Sequence, residues 1–311
     1  MCRQVCTVAT MTNDETQSPR SRGLALYAAE KGIIGFDKSF AAAMYKCSLC
    51  SYCSSWCEGG FDPQEFIIAA RRDAVHMGME PENAKSVMKA IISTGNVFSA
   101  NVPEEFKALW SALPDKGDVV VLAGGVIPFK AVDIAKAALS VFNKNGIKAA
   151  GFDETTGAYE LYCLGYYDLA VERAEKLAAQ IKKAGAETVV ALDTQERYFL
   201  SNLEKLLGIG LDVRVMDFCE FVEDNHIMPS KPVGKAAAYH DDGFLARKCD
   251  IIELPRKIIT SVDGTRLVEM LWFREEAHAT PTALYCALHP DIAAKMVERR
   301  ISGFEETGAE V

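Results

Sequence analysis

Six of the chain's ten cysteines fall within its first 57 residues, four of them as a C-x2-C-x2-C-x3-C run at Cys47, Cys50, Cys53 and Cys57. Three thiolates so spaced on one tight loop reach three corners of a cubane iron–sulfur cluster. The fourth cysteine of such a run is turned away and ligates the other cluster of a two-cluster module. That geometry needs a second run to send a ligand back, and Cys2-Arg-Gln-Val-Cys6 has the C-x3-C tail of one. Under this cross-ligation, Cys6 joins Cys47, Cys50 and Cys53 around one complete [4Fe–4S] cluster. Cys2 and Cys57 are left for a second, partial cluster whose other two thiolates would precede Met1, so Met1 is expected to be internal to a longer motif. Tyr52, Trp56 and Phe61 are placed to limit water around the cluster.

Zinc also takes four cysteines, but its sites usually pair two C-x2-C units across a longer spacer. Proline, the usual residue after the last cysteine of the iron–sulfur run, is absent: Thr7 and Glu58 stand there. A disulfide framework suits small secreted domains that lack a core, whereas 311 residues with 49% hydrophobic content bury real cores. The net charge of −9 opposes nucleic-acid binding, which calls for a basic patch. No apolar run approaches a membrane span or a secretory signal. The chain is therefore expected in the cytoplasm, with any attachment to the inner face of a membrane made through a partner.

The elements that position these residues divide by composition. Residues 1–113 read as an α-helical ferredoxin-type domain, with apolar residues at helical spacing over 40–45, 63–77 and 81–92. Asp62 before Pro63 is a helix start, an N-cap followed by a first-turn proline. Residues 114–230 alternate strand and helix: strands at 118–122, 147–152 and 187–192, helices at 131–143 and 168–184. Such alternation implies a parallel sheet covered on both faces. Residues 231–311 restart with a strand at 236–240. The expected fold class is α + α/β, a helical domain followed by two α/β repeats with parallel sheets, the second incomplete.

An internal repeat links the last two regions. Leu161-Tyr162-Cys163, Asp168 and Gly185-Ala186-Glu187 recur at identical separations as Leu284-Tyr285-Cys286, Asp291 and Gly308-Ala309-Glu310. A strand follows in the first copy. In the second the chain reaches Val311 where that strand should begin, so the natural protein is expected to continue. Cys163 and Cys286 occupy matching positions and could be paired ligands, although such cysteines are more often small buried hydrophobes. Cys219 and Cys249 read as structural. His240-Asp241-Asp242 could bind a metal or shuttle protons, but turn hydrogen bonds are the plainer use. Gly124-Gly125 lacks the G-x-G-x-x-G spacing of a dinucleotide site. Arg71 and Arg72 read either as support for the cluster loop or as an exposed helix face.

With these motifs in view, the chain resembles a family of iron–sulfur subunits. The family is typified by the D subunit of heterodisulfide reductase, the glycolate oxidase iron–sulfur subunit and the C subunit of anaerobic glycerol-3-phosphate dehydrogenase. The residues that carry the resemblance are Cys2 and Cys6, Ser18-Pro19-Arg20, Tyr45 through Cys57, Arg71-Arg72, His240-Asp241, Pro255-Arg256, Glu269-Met270 and both Gly-Ala-Glu segments. The family joins a ferredoxin-type domain to two cysteine-rich repeats. Here Gly125, Thr155-Thr156-Gly157, Asp193, Glu196, Gly243 and His278-Ala279 stand where its repeats carry cysteines, so the special cluster of those repeats is expected to be lost. The resemblance implies an electron-transfer subunit rather than a self-contained enzyme. It would relay electrons between a flavoprotein dehydrogenase, or another redox subunit, and a quinone, membrane or thiol/disulfide acceptor. A scaffold role with a structural cluster is the alternative.

Overall fold

The computed structural model describes residues 2–311; Met1, expected inside a longer motif, lies outside the described residues. The chain forms two compact units. One comprises the residues up to Lys89, Glu160–Tyr167 and Lys231–Val311; the other comprises Ala90–Tyr159 and Asp168–Ser230. The three consecutive segments read from composition (1–113, 114–230 and 231–311) thus do not correspond one to one with compact units. The first and third pack together, because Val8 and Met11 of the Thr7–Thr12 helix share an apolar cluster with Ala293 and Met296 of the Pro290–Glu305 helix.

The second unit is built on a parallel sheet of four strands: β1 (Val119–Leu122), β2 (Ala149–Ala150), β3 (Thr188–Ala191) and β4 (Arg214–Asp217), in the order β2-β1-β3-β4. Val120 is in register with Ala150 on one side and with Val189 on the other. All four residues of β1 are buried, which is why the run is apolar throughout instead of alternating. The strand expected over 147–152 contracts to two residues because Gly151 leaves the ladder and donates its N–H to the carbonyl of Pro114. Phe142 of the Val132–Lys144 helix stacks edge-on with Phe221 and closes the core on one face.

In the first unit, Asp62 and Pro63 open the Pro63–His76 helix as expected, with the Asp62 carboxylate accepting the N–H of Gln64. The second repeat contributes a small parallel pair, β5 (Ala236–Ala238) and β6 (Arg266–Val268). On the other side of β5, Glu310 donates to Ala236 and Val311 accepts from Ala238. These residues therefore lie against β5 much as the start of β3 lies against β1. Arg256 holds this repeat together from inside, with two hydrogen bonds to Asp241 (2.7 and 2.8 Å) and two to Glu269 (2.7 and 3.1 Å).

Gly165 ends the helix that carries the first Leu-Tyr-Cys motif, at φ +91°. A Cβ there would stand 2.5 Å from the Arg71 carbonyl carbon, inside van der Waals contact with backbone that cannot swing away. Gly32, at φ +69°, has nothing within 4 Å. Both Gly165→Ala and Gly32→Ala are expected to lose about 1–3 kcal/mol from a left-handed backbone conformation, and Gly165→Ala loses more through the clash. Urea unfolding followed by circular dichroism checks the ranking, and equal midpoints for the two variants would refute the close approach.

Candidate metal centre

Cys6, Cys47, Cys50 and Cys53 line one pocket, walled by Val5, Val8, Leu49, Pro63 and Ile67 and by the side chain of Arg22. The four come from two stretches about forty residues apart in sequence, the convergence that cross-ligation predicts. Cys6 is the N-cap of the Thr7–Thr12 helix, and the amide of Ala9 donates to its sulfur at 3.4 Å. The amide of Leu49 donates to the Cys47 sulfur at 3.4 Å. Leu49 (φ 53°) and Ser51 (φ 60°) flank Cys50 in left-handed conformations that residues with side chains rarely adopt. The backbone thus bends twice to bring three cysteines inward. Gln64 fixes the second bend through its amide donating to the Ser51 hydroxyl at 2.6 Å.

Burial pushes the Cys6 thiol up to about 11, with the Cys47 and Cys50 sulfurs adding to the effect. Burial raises Cys53 further, again reinforced by Cys50, Cys47 and Cys6. Thiols raised in this way, Cys6 and Cys53, become thiolates readily only around a cationic centre. Among the described residues, no group of three or more His, Cys, Asp or Glu side chains is set close enough to hold a single metal ion. In a cubane each thiolate binds a different iron, so the ligands stand around a core larger than one ion. The donor set fits an iron–sulfur cluster: four thiols, two amides aimed at sulfur and an apolar wall.

The stretch leading into this loop is held through its carbonyl oxygens. Arg71, 1% exposed, donates to Met44 (3.0 Å), Tyr45 (3.3 Å), Cys47 (2.6 Å) and Cys163 (2.8 Å). The Tyr45 hydroxyl donates to Leu164 at 2.6 Å. From the second copy of the motif, the Tyr285 hydroxyl donates to Lys46 at 3.1 Å, and His289 Nε2 lies 3.0 Å from the Tyr45 carbonyl. The segments carrying both Leu-Tyr-Cys motifs therefore tie into this stretch, the first through Arg71 and Tyr45 and the second through Tyr285 and His289. Arg247 adds a hydrogen bond to the Cys50 carbonyl at 2.9 Å. Arg71 is thus the inward member of its pair and supports the loop; Arg72 lies over the Tyr167 ring at 4.1 Å.

Other expected positions fall elsewhere. Cys2 is exposed and Cys57 half-buried, and neither lines the four-cysteine pocket. None of Tyr52, Trp56 and Phe61 lines the pocket, and Phe61 is 61% exposed; Leu49, Val8 and Ile67 wall it instead. Cys163 is buried whereas Cys286 is exposed, so the matched pair occupies two different environments. In the second unit, Gly124, Gly125, Glu154 and Thr156 line a cavity of about 680 Å³ that has no cysteine in its wall. Glu154 accepts from the amides of Ala123 (2.8 Å) and Gly124 (2.9 Å). His240-Asp241-Asp242 serves the fold: Asp241 pairs with Arg256, and Asp242 accepts the amides of Phe244 and Leu245.

The chain is similar to the D subunit of dihydromethanophenazine:CoB–CoM heterodisulfide reductase from Methanosarcina barkeri, at 26% identity over 88% of this chain and 70% of that one. It is similar to the B subunit of fumarate reductase (CoM/CoB) from Methanothermobacter marburgensis, at 23% identity over 73% of this chain and 46% of that one. It is also similar to a probable iron–sulfur-binding oxidoreductase of Bacillus subtilis, at 22% identity over 75% of this chain and 36% of that one. No family model and no solved structure matches. The homologues are heterodisulfide reductase D subunits and related iron–sulfur oxidoreductase subunits, the family its motifs resemble. Among the described residues no helix is long and apolar enough to cross a membrane.

Arg300 Nε–H donates to His240 Nδ1 at 2.7 Å, and Arg299 lies 3.0 Å from His278 Nε2. A guanidinium only donates, so each of these imidazole nitrogens is an acceptor and both rings are neutral. Burial first, and the arginine charges next, bring both histidines down to about 4. Between pH 6.5 and 4 the unfolded chain gains protons that the folded chain refuses, so stability falls as pH drops through that window. Urea midpoints measured from pH 7 to pH 4 are expected to decline, and His240→Gln to flatten the slope. An unchanged slope in that variant would contradict the assignment.

Proposed function

We propose that this chain is an electron-transfer subunit of an oxidoreductase, holding one [4Fe–4S] cluster on Cys6, Cys47, Cys50 and Cys53. The ligands sit on an α-helical ferredoxin-type segment joined to two α/β repeats. The observation that carries this reading is the convergence of those four sulfurs, from two separate stretches, on one apolar pocket. When bound, the cluster supplies reversible one-electron chemistry whose potential depends on burial and on hydrogen bonds to sulfur.

The chain's own residues supply those controls. Val5, Val8, Leu49 and Ile67 keep water off the sulfurs. The Ala9 and Leu49 amides hydrogen-bond two of them. Arg71, Tyr285 and His289 fix the segment entering the loop, so that little rearrangement accompanies a change of charge.

Relatives that are subunits of a heterodisulfide reductase and a fumarate reductase favour redox partner subunits for this chain. We place a flavoprotein dehydrogenase on one side of the relay and a quinone, membrane subunit or thiol/disulfide acceptor on the other. Gly125, Thr155, Thr156 and Gly243 stand where the resembled repeats carry cysteines. Relay without disulfide chemistry in the chain itself is therefore the reading adopted. Cys2 and Cys57 lie outside this pocket and are not among its ligands.

Oxygen-free reconstitution is expected to give a brown protein with about four irons per chain. Cys6→Ala and Cys53→Ala should lose most of the visible absorbance and iron, while Cys2→Ala and Cys57→Ala retain both. A colourless protein with stoichiometric zinc, or full iron in Cys6→Ala, would sink the reading.

A further inference from the structure

Arg22 and Arg71 are the bulkiest fully buried side chains among the described residues, each 1% exposed. Both flank the four cysteines. Arg22 forms part of the pocket wall and acts electrostatically on Cys6. Arg71 bonds the carbonyl of Cys47 and acts on that residue's sulfur.

Their partners are all neutral. Arg22 donates to the Gln17 carbonyl and side-chain oxygens and to Ala43; Arg71 donates to four backbone carbonyls. Among the described residues neither forms an ion pair with a carboxylate. A buried guanidinium stays protonated, and burying one with no counter-ion is strongly unfavourable. Two such groups beside one pocket call for an anion in it. Carbonyl oxygens alone do not require cations, since the hydroxyls of Tyr45 and Tyr285 satisfy others in the same region.

We infer that Arg22 and Arg71 are the resident counter-charges of an anionic cluster on Cys6, Cys47, Cys50 and Cys53, and that they raise its reduction potential. The inference rests on the reading of those four cysteines as cluster ligands. One electron added to the cluster makes the pocket more negative by one charge. No bond forms or breaks, and both guanidiniums keep their protons. Fixed positive charge beside the pocket favours that reduced state. Asp62, which acts on Cys53, opposes it.

The test is a potentiometric titration of the reconstituted full chain, followed by visible absorbance and electron paramagnetic resonance. It compares Arg22→Gln, Arg71→Gln, Arg22→Lys and Arg71→Lys with the parent. Each Gln variant is expected to reduce about tenfold less favourably, a fall of ~59 mV for one electron, while each Lys variant stays near the parent. Lys variants that load iron where Gln variants do not would also support the charge requirement. Gln variants that load fully at the parent's midpoint overturn the inference. So do Lys and Gln variants that shift or lose iron alike, since hydrogen bonding would then be the whole role. A parent chain that forms no iron–sulfur chromophore overturns the reading of the cysteines itself, which separates the two failures.

Discussion

The guanidinium of Arg71 and the carbonyls it gathers set the terms for the rest of the first unit. Carbonyl oxygens of residues 44, 45 and 47 point out of regular structure, because the Lys38–Tyr45 helix ends just before the cysteines begin. A buried carbonyl short of donors carries a substantial desolvation cost, and besides Arg71 only the Cys47 and Lys46 amides reach Met44 and only His289 reaches Tyr45. One planar fork satisfies three of them and reaches a fourth on Cys163. Several constraints follow. The Pro63–His76 helix must lie directly behind the loop, Gly165 must lack a side chain to come so close, and the Leu-Tyr-Cys motif must be present for its carbonyls to be reached.

The internal repeat gains a physical meaning from this arrangement. The first copy offers acceptors, the carbonyl of Cys163 to Arg71 and that of Leu164 to the Tyr45 hydroxyl, and the second offers donors, Tyr285 to Lys46 and His289 to Tyr45. Identical spacing therefore does not require identical chemistry. The thiols of Cys163 and Cys286 diverge in exposure because the backbone of one motif and the side chains of the other make the contact.

The cysteine pocket is legible in sequence because ligand spacing is a local property, and so is the Asp62-Pro63 helix start. β1 is legible as a continuous apolar run. The inward role of Arg71 is half-legible: Ile67, Ala70, Arg71 and Ala74 form an i, i+3, i+4, i+7 stripe, with the arginine on the apolar face. Arg22 gives no such sign because nothing in Pro19–Glu30 marks an inward face: the polar residues bunch in the first turn and the stretch 24–29 is largely apolar on every side. β4 is hidden because only its last two residues are buried, so no apolar run announces it. The exposed Phe61 misleads for the converse reason, since nearness in sequence to a cysteine does not fix the direction of a ring. Grouping of the first and third segments rests on contacts nearly three hundred residues apart, which no local pattern encodes.

That long separation bears on how the molecule is made. Val8, beside Cys6, finds its packing partners at Ala293 and Met296, so the wall behind Cys6 waits on chain made far later than the residue itself. Contacts of such long range form late because closing the loop costs chain entropy first. Until those contacts close, Cys6 lacks part of its apolar cover.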